Sequence, residues 1–202
     1  MKPKVALKSS TSPFLVRPTR LAGVLSVLSA LLLMPCIAGA PLSVTISQSS
    51  IRINGVELRS GPKGDGGRYI SLAAAEKVLG KPQDTYVAGL GVRVYAWRNT
   101  GIHMQRGFRG PDKGKIFKLQ VWFVDTYDKD EDKHSGKLNG HVQLDGLDIT
   151  PDTTFDSIRS QLEKAGFAIT EDQNVISAKK GEITIFTVET TNKIERIEAW
   201  CS

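Results

Sequence analysis

Two stretches place a cation, a hydrogen-bonding side chain and an indole at every second position: Lys118, Gln120 and Trp122, then Arg196, Glu198 and Trp200. In an extended chain, alternate residues share one side of a strand. Aromatic rings interleaved with Arg are the composition of protein-binding hot spots, so the chemistry on offer is recognition of another macromolecule. The segment 92–98 adds Arg93, Tyr95 and Trp97 opposite Val92, Val94 and Ala96, and 101–105 sets His103 and Gln105 opposite Ile102 and Met104. Alternation then predicts one sheet face gathering Arg93, Tyr95, Trp97, His103, Lys118, Gln120, Trp122, Arg196 and Trp200. The competing reading is that these rings pack internally or against a second copy of the chain.

Other candidate chemistry is thinner. Asp128, Asp130 and Asp132 begin like a calcium-binding loop, but Lys133 stands where that loop needs Gly and Asn139 where it needs Glu. His134 and His141 could join those carboxylates around zinc, with no spacing that enforces it. The segment is therefore expected to be a solvated acidic linker, and no metal or cofactor is expected. Gly61 to Gly67 is glycine-rich but lacks the Gly-Lys-Ser/Thr ending of a phosphate loop and is expected to be a surface loop. Nucleophile elbows, His-Glu-x-x-His, paired cysteines and clustered carboxylates are missing, so nothing in the sequence asks for catalysis. Cys201 falls in register with Phe123 and reads as a small core residue.

The elements that must carry these residues come in two sets. Ile51 to Leu58 and Val142 to Ile149 share one pattern: apolar, polar, apolar, Asn or Asp, Gly, apolar, acidic, apolar. Asn-Gly and Asp-Gly between alternating runs predict tight hairpins. A helical pattern follows each, Leu72 to Leu79 and then Phe155, Ile158 and Leu162. Residues 115–123 align without a gap on 193–201, with Lys, Ile and Trp identical. The spacing predicts repeat one over 43–124, an acidic linker over 125–140 and repeat two over 141–202. The expected fold class is α+β: two tandem hairpin–helix–three-strand repeats forming an antiparallel sheet with helices on one face.

A resemblance is carried by Leu79-Gly80-Lys81-Pro82 at a helix end, by the strand Gly101-Ile102-His103-Met104, and by Lys115 to Trp122. With the second unit, these look like the repeats of the β-lactamase inhibitor protein and BamE (SmpA/OmlA-like) group. They are closer still to the two-repeat, uncharacterised secreted bacterial proteins of that architecture. The resemblance implies a fold and a style of protein binding, and carries no catalytic residues across. The chain departs from BamE-like lipoproteins in having Pro35 before Cys36, and from the inhibitor protein in lacking its disulfides.

Charge gives the address. The chain of 202 residues carries 27 Lys plus Arg and 21 Asp plus Glu, net +6. Residues 1–40 hold five of the bases and no acid, leaving 22 bases and 21 acids, net +1, in 41–202. That removes most of the case for nucleic-acid binding. Leu21 to Ala40 is an uncharged apolar run behind the bases, which predicts a secretory signal over 1–40, or an inner-membrane anchor if it stays uncleaved. The sequence thus reads as a secreted periplasmic protein, not an enzyme, that docks another protein. An inhibitor or immunity-type protein occluding a toxin or hydrolase comes first, and a BamE-like envelope assembly or scaffold factor second. A homodimer is the other partner considered, and membrane contact is expected only through an uncleaved N-terminal segment.

Overall fold

The chain folds around short alternating runs separated by Gly, Asn and Asp, and such runs make strands before they make helices. A computed structural model describes residues 41–60, 69–89, 91–109, 113–128, 133–172, 175–188 and 190–201. The leader over 1–40, the glycine-rich 61–67 segment, and Asp130 and Asp132 of the calcium-like motif lie outside them. In chain order the elements are β1 (Leu42–Ile46), β2 (Ile51–Ile53), β3 (Val56–Glu57), β4 (Arg59–Ser60), β5 (Tyr69–Ile70), α1 (Leu72–Leu79), β6 (Asp84–Val87), β7 (Val92–Trp97), β8 (Ile102–Gly107) and β9 (Ile116–Trp122). Then follow β10 (Tyr127–Asp128), β11 (Lys133–His134), β12 (Gly140–Leu144), β13 (Leu147–Ile149), α2 (Phe155–Lys164), β14 (Ala168–Asp172), β15 (Val175–Lys180), β16 (Ile183–Val188) and β17 (Lys193–Trp200).

Both hairpin turns form where Asn-Gly and Asp-Gly predict them. Asn54 and Gly55 have φ of 49° and 78°, and Asp145 and Gly146 of 48° and 89°. Two consecutive positive φ values make the turn whose twist matches the flanking strands. The helices are short. Ser71 caps α1 by accepting from the Ala74 N–H at 3.2 Å, and the Gly80 N–H closes it on the Glu76 carbonyl. Only Ala75 of α1 is buried, whereas α2 buries Phe155, Ile158 and Leu162 as an i, i+3, i+7 stripe.

The architecture corrects the expected fold class. Instead of an α+β arrangement with one antiparallel sheet under helices, the described residues are mostly β, with two large sheets, a two-stranded β10–β11 pair and two short α-helices. The smaller sheet has five strands in the order β13-β12-β1-β2-β3. The larger runs β14-β15-β16-β17-β9-β8-β7-β6, with β5 pairing to β9 and β4 to β5. The physical reason lies in the hairpins. They do not join the strands that follow them but flank β1, which pairs antiparallel with β2 and parallel with β12. Edge strands β6 and β14 add a fourth strand to each meander; their alternation is polar and mostly exposed, so no apolar pattern announces them.

One hydrophobic core joins the two sheets and both helices. Val44 faces Ile53 and Val142 across β1, and Ile46 faces Ile51 and Leu144. The larger sheet supplies Tyr95, Trp97, Ile102, Met104, Leu119, Val121, Ile185 and Ile197, all in that core. No helix among the described residues is long and apolar enough to cross a membrane.

Candidate functional site on the outer sheet face

Directly paired residues of an antiparallel ladder point to the same side, so the register decides which predicted residues share a face. Tyr95 pairs with Met104, which pairs with Leu119; Trp97 pairs with Ile102, which pairs with Val121. Tyr95 and Trp97 therefore point into the core, 7% and 0% exposed, and leave the predicted face. Their neighbours Val94 and Ala96, expected in the core, are on the outer side, where they are nonetheless buried at 2% and 0% exposure. The inversion follows from volume: rings fill the gap between two sheets where small aliphatics would leave voids. The Trp97 indole N–H is satisfied by the Gly80 carbonyl at 2.8 Å. Arg93 shares the parity of Tyr95 at the exposed start of β7, opposite Arg106, and so also leaves the set.

The other six predicted residues come together. Three rows cross the outer face: Val94–Gln105–Lys118–Trp200, then Ala96–His103–Gln120–Glu198–Thr184, then Trp122–Arg196–Phe186–Ser177. The centre is where β9 and β17, the two strands aligned in sequence, pair with each other and set Gln120 opposite Glu198. The cations and indoles meet crosswise. Lys118 Nζ lies 4.4 Å from the centroid of the Trp200 ring, while the Arg196 guanidinium lies 5.1 Å from Trp122 and 4.1 Å from Phe186.

Glu198 holds this arrangement. Its Oε1 accepts from Gln120 Nε2 at 2.8 Å and Arg196 Nε at 3.0 Å, and its Oε2 from Lys118 Nζ at 3.3 Å. Gln105 Nε2 donates to Gln120 Oε1 at 3.3 Å, extending the chain across β8. Burial of Glu198 would raise its pKa, but the hydrogen bonds from Gln120 and Arg196 and the charges of Lys118 and Arg196 outweigh it. The carboxyl stays below the usual range and ionised. Lys118, Gln120 and Glu198 are almost fully buried within the network, so its exposed part is Trp200, 40% accessible, with half-buried Trp122 and Arg196 beside it.

His103 lies on this same face but is covered by the segment carrying Ser135 rather than presented. It is 4% exposed, its Nε2–H donates to the Ser135 carbonyl at 2.8 Å, and its ring centroid is 6.0 Å from that of Trp122. Burial pushes its pKa down to about 4. The partner segment is itself packed: Ser135 and Leu138 are buried, the Ser135 hydroxyl receives the Thr126 N–H at 2.9 Å, and Asp125 receives the Gly136 N–H at 2.8 Å. In its described residues, the expected solvated linker over 125–140 pairs β10 with β11, and the stretch after them packs on the large sheet through Ser135 and through the Leu138 N–H, which donates to the Trp122 carbonyl at 2.7 Å. His134 pairs with Asp125 at 3.2 Å and His141 with Ser43 at 3.2 Å. Among the described residues no three His, Cys, Asp or Glu side chains group as metal ligands. Cys201 is fully buried, and burial pushes its thiol up to about 11 against the opposing pull of Arg59.

The predicted set omitted Glu198, Gln105 and Phe186. Glu198 was legible as the middle of Arg196-x-Glu198-x-Trp200. Phe186 is the large residue among the alternate positions Thr184, Phe186 and Val188 of a strand whose other set is Ile183, Ile185 and Thr187.

Comparison with known proteins adds little. No protein-family profile and no curated protein matches the chain. A crystal structure of a DUF4309 family protein (YjgB) from Bacillus subtilis subsp. subtilis str. 168 is similar over 76% of this chain and 88% of its own, at 10% identity and a TM-score of 0.37. A likeness that distant carries no argument about fold or function.

Proposed function

We propose that the chain is a secreted, periplasmic, non-enzymatic binding module built from two sequence repeats, and that its outer sheet face docks another protein. The observation that carries this reading is the crosswise pair of cation–indole stacks locked around Glu198. Side chains already held in one arrangement lose little conformational entropy on binding, and Trp and Arg are the residues on which binding energy concentrates. Trp200, Trp122 and Arg196 are the anchors; Lys118, Gln120, Glu198 and His103 hold them. Within this class an inhibitor or immunity-type protein, occluding the groove of a toxin or hydrolase, agrees best with the resemblance to the β-lactamase inhibitor protein and BamE group.

The experiment is affinity capture from envelope extract, identification of the captured protein by mass spectrometry, and titration of the purified pair with Trp122→Ala and Trp200→Ala chains. The reading expects at least one substitution to weaken binding by more than about 1 kcal/mol with stability retained. Two variants that capture normally would reject it. If the full chain is retained in the membrane fraction through its uncharged 20-residue run, Leu21 to Ala40, an envelope assembly role replaces inhibition.

A further inference from the structure

Away from the outer face, the register places two arginines in opposed positions. Arg93 on β7 pairs directly with Arg106 on β8. Like charges in directly opposed positions destabilise a sheet, so this pairing works against the fold. Neither has an ion-pair partner among the described residues; Arg106 Nη1 donates to the Tyr95 hydroxyl, at 3.3 Å. The ladder is irregular at this point, with a bulge between Gln105 and Arg106. Just beyond it Gly107 bridges to Lys113, and the Gly114 N–H donates to the Gly107 carbonyl at 2.7 Å. That closure brings a third cation, Lys113, which likewise has no carboxylate partner among the described residues.

Together Arg93, Arg106 and Lys113 line a pocket of about 230 Å³ with Gly107, Phe108 and Gly114. Arg106 and Gly114 also line an adjoining pocket of about 380 Å³, into which Lys115 brings a fourth cation held at 3.1 Å from the Tyr69 hydroxyl. Composition does not account for this concentration, since residues 41–202 carry a net charge of only +1. Nor does the strand architecture require it. At the matching bulge in β16 the residue after Phe186 is Thr187, whose hydroxyl is satisfied by the Ile176 carbonyl at 3.0 Å.

We propose that this pocket binds an oxyanion, a phosphoryl or sulfate group, with the two guanidinium groups as its bidentate donors and Lys113 as a point charge. The first volume suits the anionic group alone, being below the range of pockets that hold drug-sized ligands, and the second can receive the body of a small ester. The inference is independent of the docking face, which lies on the other side of the large sheet, so either can fail alone.

The test titrates the full chain with inorganic phosphate, sulfate and glycerol 3-phosphate at constant ionic strength set by chloride, followed by amide NMR shifts at Gly107 and Gly114. Saturable shifts are expected, with Arg93→Gln and Arg106→Gln each weakening binding about tenfold or more. Without anion, each variant should melt at or above the temperature of the unsubstituted chain, because the opposed charges are relieved. Equal affinity for phosphate and its ester assigns the site to the free anion; tighter binding of the ester assigns it to a phosphorylated ligand. Shifts that do not saturate, or variants that bind as the parent does, overturn the proposal.

Discussion

Replacing Glu198 by Gln keeps shape and volume and removes one charge from between two. In the parent, Lys118 Nζ sits 3.3 Å from Oε2 and Arg196 Nε 3.0 Å from Oε1. At an effective dielectric of about 20, a unit pair at the Lys118 separation is worth roughly 5 kcal/mol, and the cost of burying the carboxylate offsets a large part. The side chains of Lys118 and Glu198 are only 11% and 8% exposed, so water cannot screen the Lys118 ammonium left behind, whereas Arg196 keeps Glu195 at 2.8 Å. Breaking a buried pair from one side costs about 3–5 kcal/mol; because Arg196 keeps 22% exposure, the lower end is expected, about 3 kcal/mol at pH 7. The sign with pH follows from the depressed pKa of Glu198. Its contribution is complete above the unfolded carboxyl pKa and is lost as pH falls through the lower folded value. The gap between parent and Glu198→Gln should therefore close in acid. Urea unfolding at pH 7 and pH 3 reads both quantities, and adding Lys118→Met to Glu198→Gln should recover about half the loss at pH 7. A gap under about 1 kcal/mol at pH 7, or one equally large at pH 3, refutes the claim that this carboxylate holds the face together.

Three further outcomes are expected. His103 is neutral in the fold with a pKa near 4, against 6.5 when unfolded; stability should fall as pH drops from 6.5 to 4, by about 3 kcal/mol in total, and His103→Gln should flatten that slope in denaturant titrations. Trp97→Ala should cost about 3–5 kcal/mol in unfolding free energy, whereas Trp200→Ala, at an exposed position, should cost less than about 1 kcal/mol; equal losses would return Trp97 to the outer face. Gly136 has φ of 70° and a side chain there would collide with the Arg98 carbonyl; Gly136→Ala should lower the melting temperature by several degrees in thermal unfolding.

What the sequence made legible was local. Asn-Gly and Asp-Gly specify their turns through backbone φ alone, and the α2 stripe of Phe155, Ile158 and Leu162 follows from helical spacing. Sheet membership is not a local property, and there the reading failed. Nothing within Leu42 to Ile46 says that β1 will separate the two hairpins and draw them into a sheet of their own. Alternation also cannot orient a strand with bulk on one side and aliphatic character on the other, as β7 shows. Val94 and Ala96 look like core, yet the space between the sheets is filled by Tyr95 and Trp97. By contrast β9 and β17 were oriented correctly, because their polar sets contain charges that the core cannot accept. Six of the nine proposed contact residues sit on those two strands and on β8. The pairing of β9 with β17, which turns two short motifs into one network around Glu198, appears only in three dimensions.

The docking face is tested most directly by the affinity of the captured partner for the parent chain and for Trp200→Ala, measured side by side with their melting curves. Weaker binding by more than about 1 kcal/mol, roughly fivefold or more in Kd, is expected, with the melting temperature lowered by no more than a few degrees. Unchanged affinity would make the Trp200 ring a part of the packing alone, and unchanged affinity in Trp122→Ala as well would contradict the docking face.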